Sequence, residues 1–192
     1  MSITEFGLIE KYFYQHTIKR KDVAVGIGDD CALLTVPNGQ QLAITVDTLV
    51  AGVHFLATCS VDDLAWKAIT VNLSDLAAMG AEPAWLSLAI TLPEANEEWL
   101  EAFSTNFFEC ADYYGLQLVG GDTTRGPLTI TIQAMGFVPP QAAALRSGAK
   151  PGDIIYVTGS IGDAGIGLAI SSGKHKPKSK AHGDFLTARF NR

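Results

Sequence analysis

The sequence predicts an α+β fold, and three observations carry that reading. Gln41–Thr48 and Leu128–Val138 alternate apolar and polar residues with the period of two expected of half-buried strands. Between them, Asp62–Met79 and Glu94–Tyr114 place apolar residues at helical spacing. Glycines and aspartates then gather where strands end, at Gly26-Ile27-Gly28-Asp29-Asp30 and again at Gly120-Gly121-Asp122. With 192 residues, 47% of them hydrophobic, the chain has ample material for a buried core.

Taken in order, Phe6, Ile9, Glu10 and Phe13 predict a short amphipathic helix, followed by Lys19-Arg20-Lys21 as a solvated loop. Val23–Ile27 and Ala32–Val36 read as extended segments flanking the acidic turn, and Pro37-Asn38-Gly39 turns into the next strand. In that strand Leu42, Ile44 and Val46 share one face, while Ala43, Thr45 and Asp47 share the other. Ser60-Val61-Asp62-Asp63 has capping-box spacing and Gly80 with Pro83 supplies a stop, which bounds the helix Asp62–Met79. Asp75 falls on the same arc of that helix as Leu64, Ala68 and Val71, so a core-facing carboxylate is expected, with Asn72 lining the same cavity. Trp85–Leu92 is a strand closed by Pro93. Trp99, Phe103, Phe107 and Tyr114 form a core stripe on the second long helix, and Leu116–Val119 is a short strand running into Gly120-Gly121-Asp122.

Pro139-Pro140 marks a linker, dividing the chain into residues 1–140 and a second region, 141–192, too small for a core of its own. There Ile154–Thr158 reads as a strand and Gly159–Gly167 as a glycine-rich loop entering an apolar helix, the order in which a helix N-terminus receives phosphate. The basic stretch Lys174–His182 reads as solvated, and Phe185–Arg192 as the start of a helix.

Composition excludes several classes. A net charge of −6 argues against a nucleic-acid surface, which normally shows a basic excess. Cys31, Cys59 and Cys110 are odd in number and form no Cys-x-x-Cys pair, which argues for reduced thiols rather than disulfides or zinc. Glu5, Glu10 and Lys11 interrupt the N-terminal apolar residues, so no signal peptide is read, and no apolar run spans a membrane. A cytoplasmic location follows as the expectation.

Taken alone, Gly-Ile-Gly-Asp-Asp is an ordinary surface turn. Asp30, Thr45 with Asp47, Asp75 and Asp122 nevertheless all fall at strand ends or on one helix arc. Their convergence gives an all-oxygen site of the kind magnesium prefers, completed by water and substrate phosphate. No Ser-His-Asp order, His-Glu-x-x-His, P-loop or protein-kinase signature is present.

Five segments in order, Gly26–Ala32, Val46–Phe55, Asn72–Ala81, Gly120–Thr123 and Lys150–Asp153, resemble the thiamine-monophosphate kinases, members of the aminoimidazole ribonucleotide synthetase-like superfamily. The resemblance runs to about Ser171. It implies a mixed sheet with helices on one face, pairing with a second subunit's sheet into a barrel, hence a homodimer. It implies transfer of the ATP γ-phosphoryl group to thiamine monophosphate, giving thiamine diphosphate, assisted by several Mg2+ ions and without a general base. By position, Asp30, Thr45, Val46 through its carbonyl, Asp47, Asp75 and Asp122 match the metal ligands; Gly121, Asp122 and Arg146 match ATP contacts; His54 matches a substrate contact. The family carries a full second domain, so residues 141–192 are expected to be its beginning and these residues alone are not expected to be active. The alternatives are another ATP-using enzyme of the superfamily, making an aminoimidazole ribonucleotide or a selenophosphate, and a non-catalytic magnesium-nucleotide-binding dimerisation module.

Overall fold

Local chemistry starts both long helices of the computed structural model, which describes residues 5–14 and 19–192. The Ser60 hydroxyl accepts the Asp63 N–H at 3.1 Å and opens α2, Val61–Ala78, after α1, Glu5–Ile9. The Asn96 carboxamide oxygen accepts the Trp99 N–H at 2.9 Å and opens α3, Glu97–Tyr113. That cap explains why α3 begins after Glu94, where the apolar spacing alone had placed its start. Residues 1–4 and 15–18, at either end of the first expected helix, lie outside the described residues. Within it, α1 passes into a π-helical turn, Glu10–Tyr14, that buries Tyr12 and Phe13.

Four strands form a mixed sheet: β3, Gln41–Val50; β4, Glu82–Leu92; β5, Gln117–Arg125; and β6, Thr129–Val138. Their order is β3-β6-β4-β5, with β6 antiparallel to both neighbours and β4 parallel to β5. The parallel pair needs a crossover, and α3 provides it. Helices α2 and α3 cover one face, where Leu64, Ile69, Phe103 and Phe107 join Leu88, Ile90, Ile130 and Ile132 in the main core. Each such side chain, fully buried, contributes roughly 1.5–3 kcal/mol of transfer free energy.

A second cluster occupies part of the opposite face. Trp85, Val119, Met135 and Phe137 are packed there by Val23, Ala32, Leu34 and Val36, with Phe137 edge-on to Trp85 at 4.9 Å. Val23 and Leu34 belong to a small antiparallel hairpin, β1, Val23–Val25, and β2, Leu33–Leu34, shorter than the extended segments the sequence predicts, while Ala32 and Val36 flank β2. Beyond the hairpin this face is open: Leu42, Ile44 and Val46 of edge strand β3 are 41%, 55% and 57% exposed. The apolar face of β3 is therefore the outward one, and Thr45 and Asp47 share the face that carries α2.

Arg20 corrects the expectation of a solvated basic loop. Its guanidinium donates to the Asp22 carboxylate from Nε at 3.0 Å and Nη2 at 2.8 Å, and from Nη1 to the Gly115 carbonyl at 3.0 Å. The Trp85 indole N–H donates to the same carboxylate at 3.0 Å. A planar donor fork matched to a carboxylate outweighs hydration of the arginine.

The chain divides into two compact units, Met1–Leu145 and Arg146–Arg192. In the second, a short 3-10 turn, Arg146–Gly148, precedes α4, Asp163–Ser171, and α5, Lys180–Asn191. The strand expected at Ile154–Thr158 does not form; the segment is unpaired in this unit, and Ile155 is 91% exposed. Helix α5 begins inside the stretch expected to be a solvated loop, because Ser179 caps it by accepting the His182 N–H at 3.2 Å. Among the described residues no helix is long and apolar enough to cross a membrane.

Arg20, and secondarily the Trp85 N–H, hold the Asp22 carboxyl below the usual carboxylate range. Asp22→Asn is expected to cost about 1–3 kcal/mol at pH 7, measured by urea denaturation. Because the folded value is the lower one, this contribution is complete above the ordinary range and is lost as pH falls through the folded value, so the gap between wild type and variant is expected to close below about pH 4.

Candidate functional site

The β1–β2 turn and the far half of β5 face one cavity of about 370 Å³ in the first unit. Its lining is partly apolar, with Ile9, Phe13, Ile27, Leu88, Ile90 and Leu118, and partly polar backbone and carboxylate, with Gly28-Asp29-Asp30 and Gly120-Gly121-Asp122-Thr123. The volume suits a small ligand. The sequence predicts a short strand ending at Val119, but β5 runs on through the glycines to Arg125. Its pairing with β4 shifts between Leu86 and Ser87, where Leu86 faces Leu118 and Ser87 faces Gly120. At Gly121 the two backbones are so close that a Cβ would stand 1.8 Å from the Leu88 carbonyl oxygen. Glycine is required there by space. At Gly28 it is required by conformation, with φ of +113° and the Tyr14 ring 3.2 Å from where a Cβ would be.

The two adjacent acids divide their roles. Asp29 Oδ1 accepts the Asp30 N–H at 2.8 Å and so shapes the turn, leaving the exposed Asp30 carboxylate available to the cavity.

A second pair lies toward β3, where the Thr45 hydroxyl donates to Asp75 Oδ2 at 2.9 Å. Asp75 is exposed rather than core-facing. The buried stripe of α2 runs through Leu64, Ala65, Ala68, Ile69, Asn72, Leu73 and Leu76, and the arc shared with Val71 is its border. Asn72 is the buried polar residue of α2: its amide N–H donates to the Ala68 carbonyl at 3.1 Å, its Oδ1 has no hydrogen-bond partner among the described residues, and it does not line the cavity. Asp47 and Gly121 belong to one row across the sheet, through Ile132 and Leu88. Three strand spacings separate them, roughly 14 Å. The oxygen donors thus occupy two ends of an extended strip, Thr45, Asp47 and Asp75 at one end and Asp30 and Asp122 at the other.

Among the described residues no three His, Cys, Asp or Glu side chains are grouped to hold one ion, and Asp30, Asp47, Asp75 and Asp122 form no ion pair. Unpaired carboxylates and a hydroxyl, with no soft ligand, fit a hard cation that completes its shell with water and phosphate. They do not make a closed protein cage.

His54 lies in the turn after β3, its Nδ1 accepting the Val50 N–H at 3.0 Å, which leaves Nε2–H as its outward donor. Val46 has its side chain on the outward face of β3. Arg146 opens the second unit and is exposed. In the glycine-rich segment, Gly167 is buried in the α4–α5 contact, against the Leu186 carbonyl, so it serves helix packing.

Residues 28–138 match the family described as AIR synthase related protein, N-terminal domain. The chain belongs to that family. Over its full length it is 56% identical to the thiamine-monophosphate kinase of Escherichia coli strain K12, of which it covers 59%. It superposes with a TM-score of 0.85 on the crystal structure of thiamine-monophosphate kinase from Stenotrophomonas maltophilia K279a, at 46% identity, covering 100% of this chain and 62% of that one. It is also similar to AaThiL complexed with AMPPCP and TMP, with a TM-score of 0.73, 29% identity, and coverage of 99% and 59%. The chain therefore spans about 59% of the length of the curated relative from E. coli. The α+β architecture, with a mixed sheet and helices on one face, is the architecture of this family.

The apolar cavity lining escaped the sequence reading, because Ile9, Phe13, Ile27, Leu88, Ile90 and Leu118 come from five separate segments and are indistinguishable there from core residues. The Gly-Gly pair did carry a signal for the close approach at β5.

Gly121→Ala is expected to destabilise the fold by about 1–3 kcal/mol or more through overpacking against β4. Thermal unfolding checks this; a melting temperature equal to wild type would contradict the close approach.

Proposed function

We propose that this chain is the metal- and nucleotide-binding part of an enzyme that phosphorylates thiamine monophosphate to thiamine diphosphate with ATP. The observation that carries the reading is 56% identity, sustained over all 192 residues, to a thiamine-monophosphate kinase. The likeness to AaThiL complexed with AMPPCP, an ATP analogue, and TMP supports the same substrates. Residues 1–140 form the metal, ATP and dimerisation domain in this reading, and residues 141–192 begin a C-terminal α/β domain.

Asp30, Thr45, Asp47, Asp75, Asp122 and the Val46 carbonyl would hold Mg2+. Several ions suit donors spread along a strip better than one does. When bound, Mg2+ neutralises phosphate charge and so lowers the repulsion between two polyanions. The backbone at Gly121, stripped of a side chain, admits a phosphate close to the sheet, and Asp122 follows it at the cavity wall. Arg146 contributes fixed positive charge to ATP. His54 offers Nε2–H to the thiamine substrate. The acceptor is a phosphate oxygen already ionised near neutral pH, so no side chain has to remove a proton. The unpaired apolar stripe Leu42, Ile44 and Val46 on an edge strand supports a homodimer whose sheets meet on that face. The same reading makes the protein cytoplasmic.

Magnesium-dependent ADP formation, followed with and without thiamine monophosphate in a protein extended through the length of the relatives, tests the reading. Turnover is expected only with both, and Asp47→Asn or Asp75→Asn is expected to abolish it. ATP consumption independent of thiamine monophosphate would point to another enzyme of the superfamily, and nucleotide binding without turnover to a non-catalytic module; either contradicts the kinase reading.

A further inference from the structure

The acidic turn needs an anchor. It joins β1 and β2, which pair through Val23 with Leu34 and Val25 with Leu33, and a two-stranded hairpin this short is marginal by itself. It also straddles the edge of the sheet: Val23, Ala32 and Leu34 pack with Trp85 on one face, whereas Ile27 packs with the helix-side core on the other. Asp30 stands at the end of this overhang, so its position depends on what holds the base.

Asp22 is at that base. Its carbonyl accepts the Thr35 N–H at 2.8 Å, closing the hairpin just beyond both strands. Its carboxylate is gripped by Trp85, fully buried in β4, and by the Arg20 fork, whose third nitrogen holds the Gly115 carbonyl at the turn into β5. The Arg20 N–H donates to Gln117 Oε1 at 2.6 Å, and Gln117 begins β5, the strand that continues to Gly121 and Asp122. The Gln117 amide also lies 3.7 Å from where a Cβ on Gly26 would be, the first residue of the turn segment.

We propose that Arg20, Asp22 and Trp85 are positioning residues that register the hairpin against β5 and thereby hold Asp30 at the cavity that Asp122 also lines. None of the three lines the cavity. The inference rests on the metal–phosphate reading of Asp30 for its functional consequence, and the test separates the two.

Cys31 is exposed, follows Asp30 directly and takes a spin label, after Cys59→Ser and Cys110→Ala remove the other thiols. A second label on Glu109→Cys, exposed on α3, gives a reference point on a packed helix. The inter-label distance distribution is expected to be narrow in this background and to broaden with Asp22→Asn or Trp85→Phe. Phe103→Leu, a comparable loss of stability in the α3 core, is expected to leave it narrow. In the same samples, Mn2+ titrated with AMPPCP is expected to bind about tenfold more weakly to the two clamp variants, the scale found when outer partners of metal ligands are removed. Unchanged distributions in both folded clamp variants would overturn the inference, whatever the cation does. Broadened distributions with Mn2+ affinity insensitive to Asp30→Asn would uphold the clamp and overturn the metal reading of Asp30 instead.

Discussion

The arrangement depends on how near β5 passes to β4 at Gly121. Two parallel backbones there leave no volume for even a methyl group, and the pairing shifts immediately before it. A strand that is buried through Leu118 and Val119 becomes largely exposed from Gly121 onward, with Thr123 half-buried. The apolar sheet thus ends in a ledge of bare backbone followed by a carboxylate. Every other candidate group takes its meaning from its distance to that ledge: Asp30 at the same cavity, and Asp47 in the same row three strands further on.

This geometry separates the site into two acidic ends rather than one cage, which has a chemical consequence. A cage built from protein alone would bind an ion without substrate, while donors spread along a strip need a bridging anion to complete the coordination. Nucleotide and cation are then expected to bind as partners. The outward apolar face of β3 belongs to the same logic, since it leaves the opposite face of that strand free to present Thr45 and Asp47 toward α2.

Much of this was legible in the sequence. Period two in β3 correctly put Thr45 and Asp47 on one face, and the capping residue Ser60 fixed the start of α2 to within a residue. The acids were legible only as a set: Gly-Ile-Gly-Asp-Asp alone reads as a surface turn, and it is the company of Thr45, Asp47, Asp75 and Asp122 at strand ends or on one helix arc that marks a site. Asp75 was assigned to the right helix and the wrong depth: helical spacing gives an azimuth, whereas depth depends on which neighbours cover that azimuth. The clamp was missed for a related reason. Lys19-Arg20-Lys21 looks like solvent-facing charge until Asp22, Trp85 and Gly115, up to 95 residues apart in sequence, are brought around the middle residue. Ile154–Thr158 shows the converse failure, a convincing strand pattern without a partner strand in its unit.

Calorimetric titration of AMPPCP into this chain, with Mg2+ and then with EDTA, tests the central claim that the acidic strip receives phosphate through a cation. Binding in Mg2+ that disappears in EDTA and is lost in Asp122→Asn is the predicted result. Equal binding in EDTA, or binding indifferent to Asp122→Asn, would contradict it.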